Sequence, residues 1–202
     1  MSSNPIKAPL GRPKTFDRGH TLDVAMESYW ADGVDGVSFN EICKRAKVSK
    51  PGLYREFGNE DGLMKAVLIQ YQQQVITPMQ QILTSDAPFR ETLDNLVIFI
   101  TAKSDVQDAP KGCLFVKLRG SRFRLGEATR EQIDHTQQQL TVAFENLVER
   151  SKAKGEFSTE MPTPFAAAYI DSQIGNALSL LERGEKNETV RAILIMAFSN
   201  LV

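Results

Sequence analysis

At 202 residues, with 42% hydrophobic and 24% charged side chains, the chain has ample material for a folded core and lacks the bias of a disordered or fibrous protein. A formal net charge of −1 excludes a uniform polycation, so any affinity for nucleic acid has to come from a local basic face. The two cysteines, Cys43 and Cys113, match no metal-ligand spacing, and no apolar run approaches the roughly 20 residues of a bilayer span; a cytoplasmic protein without metal, cofactor or membrane partner is expected.

Residues 1–15 are rich in Pro, Ser, Gly and Lys, carry no apolar signal core, and read as a flexible basic arm. The first helical period places Leu22, Ala25, Met26, Tyr29 and Trp30 on one stripe and ends near Gly33. After a turn, Ser38-Phe39-Asn40-Glu41 has the form of a capping box, with Ser38 and Glu41 each satisfying the other's amide. The helix it opens puts Phe39, Ile42, Cys43 and Ala46 on one face and stops near Lys47. Ser49 caps a third helix, Pro51 sits in its first turn, Leu53 and Phe57 point inward, and Gly58 ends it. Three short helices, the last two joined by a few residues, make a tri-helical helix-turn-helix unit. Five basic residues and no acid fall within 44–55, namely Lys44, Arg45, Lys47, Lys50 and Arg55.

Asn59 caps a long fourth helix with Leu63, Val67, Tyr71 and Val75 at steady spacing, interrupted by Pro78. Further helices are expected at about 87–103, 112–121, 127–154, 163–182 and 187–202, with breaks at Pro88, Pro110, Gly126, Gly155 and the Pro162-Thr163-Pro164 run. Strand alternation is missing, so the fold class is all-α. The last helix is apolar nearly all round, and the one before it is two-faced, with Ala166, Ile170, Ile174, Ala177 and Leu181 opposite Phe165, Ala168, Tyr169 and Ser172. Such helices need cover on two sides. The economical arrangement is a two-fold four-helix contact between two copies, through Phe165, Ala168, Tyr169, Ser172, Ile193, Met196 and Ala197; a core helix in a monomer is the alternative.

The segment 16–67 resembles the DNA-binding domain of the TetR/AcrR family of bacterial repressors. Ala25, Gly33, Val37, Ser38, Ile42, Ala46, Leu63 and above all the string VSKPGLYREFGNEDGL carry the resemblance. Gly112-Cys113-Leu114 also resembles a short pattern found in one branch of that family. The resemblance implies a helix-turn-helix DNA-binding domain at 16–62, followed by a helical ligand-binding and dimerisation bundle at 63–202. Two positions depart from the pattern: Lys47 stands where a turn glycine is usual, and Glu60 where a phosphate-binding lysine is usual.

With the third helix in the major groove, Lys50 and Gly52 approach base edges, while Tyr54 and Arg55 meet phosphates. Tyr54 also admits a packing role. Ser38 and Ser49 cap helices whose N-termini can face phosphate, and Lys47 adds charge. Arg12, within Gly11-Arg12-Pro13-Lys14, suits a narrow minor groove, or belongs to a plain tail. A pocket for a small-molecule effector is expected among helices four to eight, with Phe99, Cys113, Phe115, Phe123, Phe144 and Tyr169 as candidates. The basic set Lys117, Arg119, Arg122 and Arg124 either attracts an anionic effector or is a solvated face. The expectation is a homodimeric, ligand-released repressor on a palindromic double-stranded DNA operator. Activation and protein binding are alternatives. With only His20 and His135 and no nucleophile–base motif or phosphate loop, an enzyme is not expected.

Overall fold

The computed structural model describes residues 16–102 and 110–201. The arm at 1–15, with Arg12, lies outside the described residues. Among the described residues ten α-helices follow one another: α1 (Arg18–Asp32), α2 (Phe39–Ala46), α3 (Lys50–Phe57), α4 (Glu60–Tyr71), α5 (Thr77–Thr84), α6 (Phe89–Thr101), α7 (Leu114–Gly120), α8 (Glu127–Ala153), α9 (Thr163–Glu182) and α10 (Asn187–Phe198). No strand occurs among the described residues, so the all-α expectation holds.

Local chemistry sets most boundaries. Asp17 begins α1 by accepting a hydrogen bond from the His20 amide at 3.0 Å. Ser38 accepts from the Glu41 amide and Ser49 from the Gly52 amide, each at 3.2 Å. Only that half of the expected capping box forms, because the Glu41 carboxylate turns to Arg45, 3.1 Å away, and Lys44, 3.7 Å away. α2 ends at Lys47, whose φ of 56° is the left-handed conformation that glycine adopts freely. Replacing Lys47 by glycine removes the side-chain penalty, adds chain entropy to the unfolded state, and should leave stability unchanged or raised by up to about 1 kcal/mol. Urea denaturation checks this; a loss above that size would mean the lysine side chain stabilises the turn.

Pro78 does not interrupt the fourth helix as expected. A π-helical stretch, Gln72–Ile76, joins α4 to α5, and the Thr77 amide bonds the Gln72 carbonyl. Widening the turn just before the proline re-registers the ladder where its missing N–H and bulky ring would otherwise break it. α10 stops at Phe198 rather than 202, and the chain then turns so that Leu201 is buried.

A single apolar core runs from Leu22 to Leu201 without a gap at the expected boundary near residue 62. α4 belongs to both halves, packing against α1 and α3 on one side and against α7 and α8 on the other. In the body, α8 and α9 pair closely, and α10 packs on α6 and α9.

Candidate nucleic-acid interface and effector cavity

The exposed face of α3 is basic. Lys50, Pro51, Tyr54 and Arg55 face outward from it, with Lys47 exposed just before it at the end of α2, while Leu53 and Phe57 are locked into the core. Lys44 and Arg45 are spent on Glu41 and Asp32, the Arg45–Asp32 pair being 2.7 Å long. Lys47, Lys50 and Arg55 form no ion pair among the described residues, which leaves three cations at the start and flank of one short helix. Tyr54 combines its two expected roles: its ring lies 4.7 Å from that of Phe39, yet it stays 40% exposed. The Lys50 ammonium sits 5.9 Å from the same ring. Gly52 is corrected. It is buried, and an added Cβ would lie 3.0 Å from Ser49 Oγ and 3.4 Å from the Phe16 ring, so its smallness serves packing rather than approach to a base. At the other side of α3, Arg18 bonds Glu56 at 3.0 Å and so ties α1 to the helix.

A cavity of about 740 Å³ opens in the body. Of the six expected pocket residues, Phe99, Cys113 and Phe115 line it. Phe123 does not: it sits on a 3₁₀ turn between α7 and α8 and is 89% exposed. Phe144 is buried in the core without reaching the cavity, and Tyr169 instead donates its hydroxyl to the Ala197 carbonyl at 3.1 Å. The wall also holds Trp30, Tyr71, Asp171 and Asn187, which the sequence reading missed, and Arg119, which it named within the basic set 117–124. Asp171 had a visible signal as a lone acid within the apolar stretch of its helix. Trp30 had none, since its place on the first helix's apolar stripe is satisfied by any core contact.

The basic set 117–124 is dispersed. Lys117 donates to the Trp30 carbonyl at 2.6 Å and lies 3.5 Å from Glu182, Arg122 pairs with Asp134, and Arg124 with Asp35 at 2.7 Å. Only Arg119 reaches the cavity, bonded to Gln137 and 3.4 Å from Asp171. Cys113 is buried and accepts a hydrogen bond from Tyr71 Oη at 3.2 Å; burial pushes its thiol above the usual range and makes it a poor nucleophile. Burial, with the Glu60 carboxylate nearby, raises Tyr29 to about 12.

On α9 and α10 the expected contact residues Phe165, Ala168, Ser172 and Met196 are exposed, and Tyr169, Ile193 and Ala197 are half-buried. Ile195 is exposed beside them. Among the described residues no helix is long and apolar enough to cross a membrane.

Residues 22–67 match the family model described as bacterial regulatory proteins, tetR family. The HTH-type transcriptional repressor ComR of Escherichia coli (strain K12) is 30% identical over 116 residues, 57% of this chain and 55% of ComR. The match therefore spans about half the length of that curated relative. Among solved structures, a cysteine mutant of the TetR family regulator CifR, complexed with 26-base-pair double-strand operator DNA, superimposes with a TM-score of 0.82 at 23% identity, covering 95% of this chain and 100% of that one. The reduced form of Escherichia coli NemR gives 0.78 at 17% identity, over 92% and 97% of the two chains. At these identities the structural likeness is one of fold.

Proposed function

We propose that the chain, whose residues 22–67 match the model for bacterial regulatory proteins of the tetR family, is a member of that family and a ligand-released repressor, binding a palindromic operator as a two-fold dimer. The observation that carries this reading is the exposed cationic face of α3, held on a capped helix whose other side is locked in the core. Lys50, at the first turn, approaches base edges from the major groove, and Tyr54, Arg55 and Lys47 meet the flanking phosphates. Ser38 and Ser49 turn two helix N-termini, with their amides, toward the backbone. The two copies of α3 then lie about one turn of DNA apart, roughly 34–36 Å. A small molecule in the cavity favours a different spacing and shifts the population off the operator.

Selection from a pool of random duplexes, followed by anisotropy titration over a range of salt, tests the reading. Affinity should fall steeply with salt, and Lys50→Ala should lower the slope of log K against log salt by about one if it contacts phosphate, or flatten the base preference at one position per half-site if it reads a base. A salt-independent affinity, or one untouched by Lys50→Ala and Tyr54→Ala together, would sink it. A promoter fusion reads the sign of the response.

A further inference from the structure

The wall of the cavity is mainly carbon, from side chains such as Phe99, Phe115, Ile174 and Leu178. At one place it is not. Arg119 of α7 and Asp171 of α9 meet there, 3.4 Å apart, and Gln137 of α8 bonds both. The three hydrogen bonds of this cluster use Arg119 Nη1, Asp171 Oδ2 and the Gln137 amide. Among the described residues, Arg119 Nη2 and Asp171 Oδ1 have no hydrogen-bond partner. Neither is sealed off by protein, since the two side chains keep 33% and 27% of their surface accessible. Gly175, one helical turn on from Asp171, also lines the cavity, and a Cβ there would lie 3.4 Å from Nη2. Glycine weakens the middle of a helix, and here its missing side chain leaves that nitrogen uncovered.

The cluster thus offers a donor beside an acceptor, with no net charge. The other charged lining residues, Lys111 and Glu185, are exposed and of opposite sign. We propose that the effector is an uncharged molecule with an apolar body and a carboxamide-type head. Its carbonyl oxygen accepts from Arg119 Nη2, and its N–H donates to Asp171 Oδ1. A carboxylate would bring a second negative charge beside Asp171 and has no hydrogen to give Oδ1, while an ammonium would face Arg119. The inference rests on the cavity being the effector site of the regulator proposed above. α7 also carries Lys117, which donates to the Trp30 carbonyl near the end of α1, so the helix that grips the head also holds the DNA-binding half.

Four probes on one ring system, titrated calorimetrically into the full chain, test this: naphthamide, acetylnaphthalene, naphthoate and ethylnaphthalene. Acetylnaphthalene, which only accepts, should bind about ten-fold tighter than ethylnaphthalene, and naphthamide about ten-fold tighter again, one hydrogen bond at each step. Naphthoate should bind more weakly than naphthamide. Arg119→Met combined with Asp171→Leu replaces the pair by carbon without leaving a lone charge. Ethylnaphthalene should still bind that variant, and the preference for the amide should vanish. Gly175→Ala, which favours the helix and so keeps the fold, should cover Nη2 and cut naphthamide affinity about ten-fold, with ethylnaphthalene little changed. Naphthoate binding tightest, naphthamide no better than ethylnaphthalene, no binding of any probe, or a preference that survives either variant would each overturn the proposal. Duplex binding measured on the same samples keeps this separate, since its absence in the native protein would strike the regulator reading instead.

Discussion

Glutamate in place of Met196, alone or with Phe165→Glu, should leave a folded monomer whose duplex affinity is roughly 10²–10⁴-fold weaker. Met196 is 67% exposed and Phe165 61% exposed, with Ile195 at 44%, on adjoining helices whose opposite faces are fully engaged in the core. Val190, Leu194 and Phe198 hold α10 to the body, and Tyr169 stitches α9 to α10 through the Ala197 carbonyl. The outward stripe is therefore rigid and presented as one surface, as an isologous contact requires. Two carboxylates facing two more across a two-fold axis cannot be paired, and their desolvation outweighs the area gained. The large DNA effect follows from bivalency. Once the subunits separate, the second half-site is no longer bound at the high local concentration the dimer provides. Sedimentation equilibrium and anisotropy read the two quantities. A variant that stays dimeric, or a monomer that keeps full affinity, would refute the assigned interface.

The second large effect is expected where α4 meets α8. α8 begins at Gly126 without a cap of its own. Asp61, on the first turn of α4, reaches across and accepts from the amides of Ala128 and Thr129, at 2.9 and 3.0 Å, and from the Thr129 hydroxyl at 2.5 Å. A carboxylate here meets two free amides and the positive end of a 27-residue helix. Gly126 is required for it, because a Cβ there would lie 2.2 Å from Asp61 Cγ. Asp61→Ala should cost about 1–2 kcal/mol, and Gly126→Ala, which expels the carboxylate, about the same. The double variant should be no worse than the poorer single one, since both remove one interaction. In a chain of this size each kcal/mol lowers Tm by about 2–4 °C. Burial works to raise the Asp61 pKa, but the bonds from Thr129 and Ala128, with Arg130 nearby, outweigh it and hold the carboxyl below its ordinary value. The sign follows. Its contribution is complete above the unfolded carboxylate range near pH 4 and fades as pH falls through the lower folded value. Additive single variants, or an acid limb unchanged by Asp61→Ala, would contradict the clamp. As the clamp joins the half that carries α3 to the longest helix of the body, its loss should also blunt ligand release.

What could be read beforehand divides along physical lines. Helix ends at Gly33, Gly58, Pro88 and Pro162, and caps at Ser38, Ser49 and Asn59, depend on bonds within four residues. The inward stripes Leu22–Tyr29 and Phe39–Ala46 depend only on period. These, with the cationic face of α3, were legible in the chain, as was the apolar surplus of the last two helices. Even local rules failed where two of them competed: Glu41 preferred Arg45 to its own capping amide, and a π turn absorbed Pro78.

The amino-acid order alone thus determined most helix ends, the inward faces and the exposed basic face of α3, because those follow from interactions a few residues apart. Only the tertiary structure decided that Gly52 lies beneath Phe16, that Phe123 leaves the body, that Trp30 joins the cavity wall and that Asp61 caps a helix more than sixty residues away. Each of these depends on which distant side chain happens to fill the space, and pairwise proximity across the bundle leaves no period in the sequence.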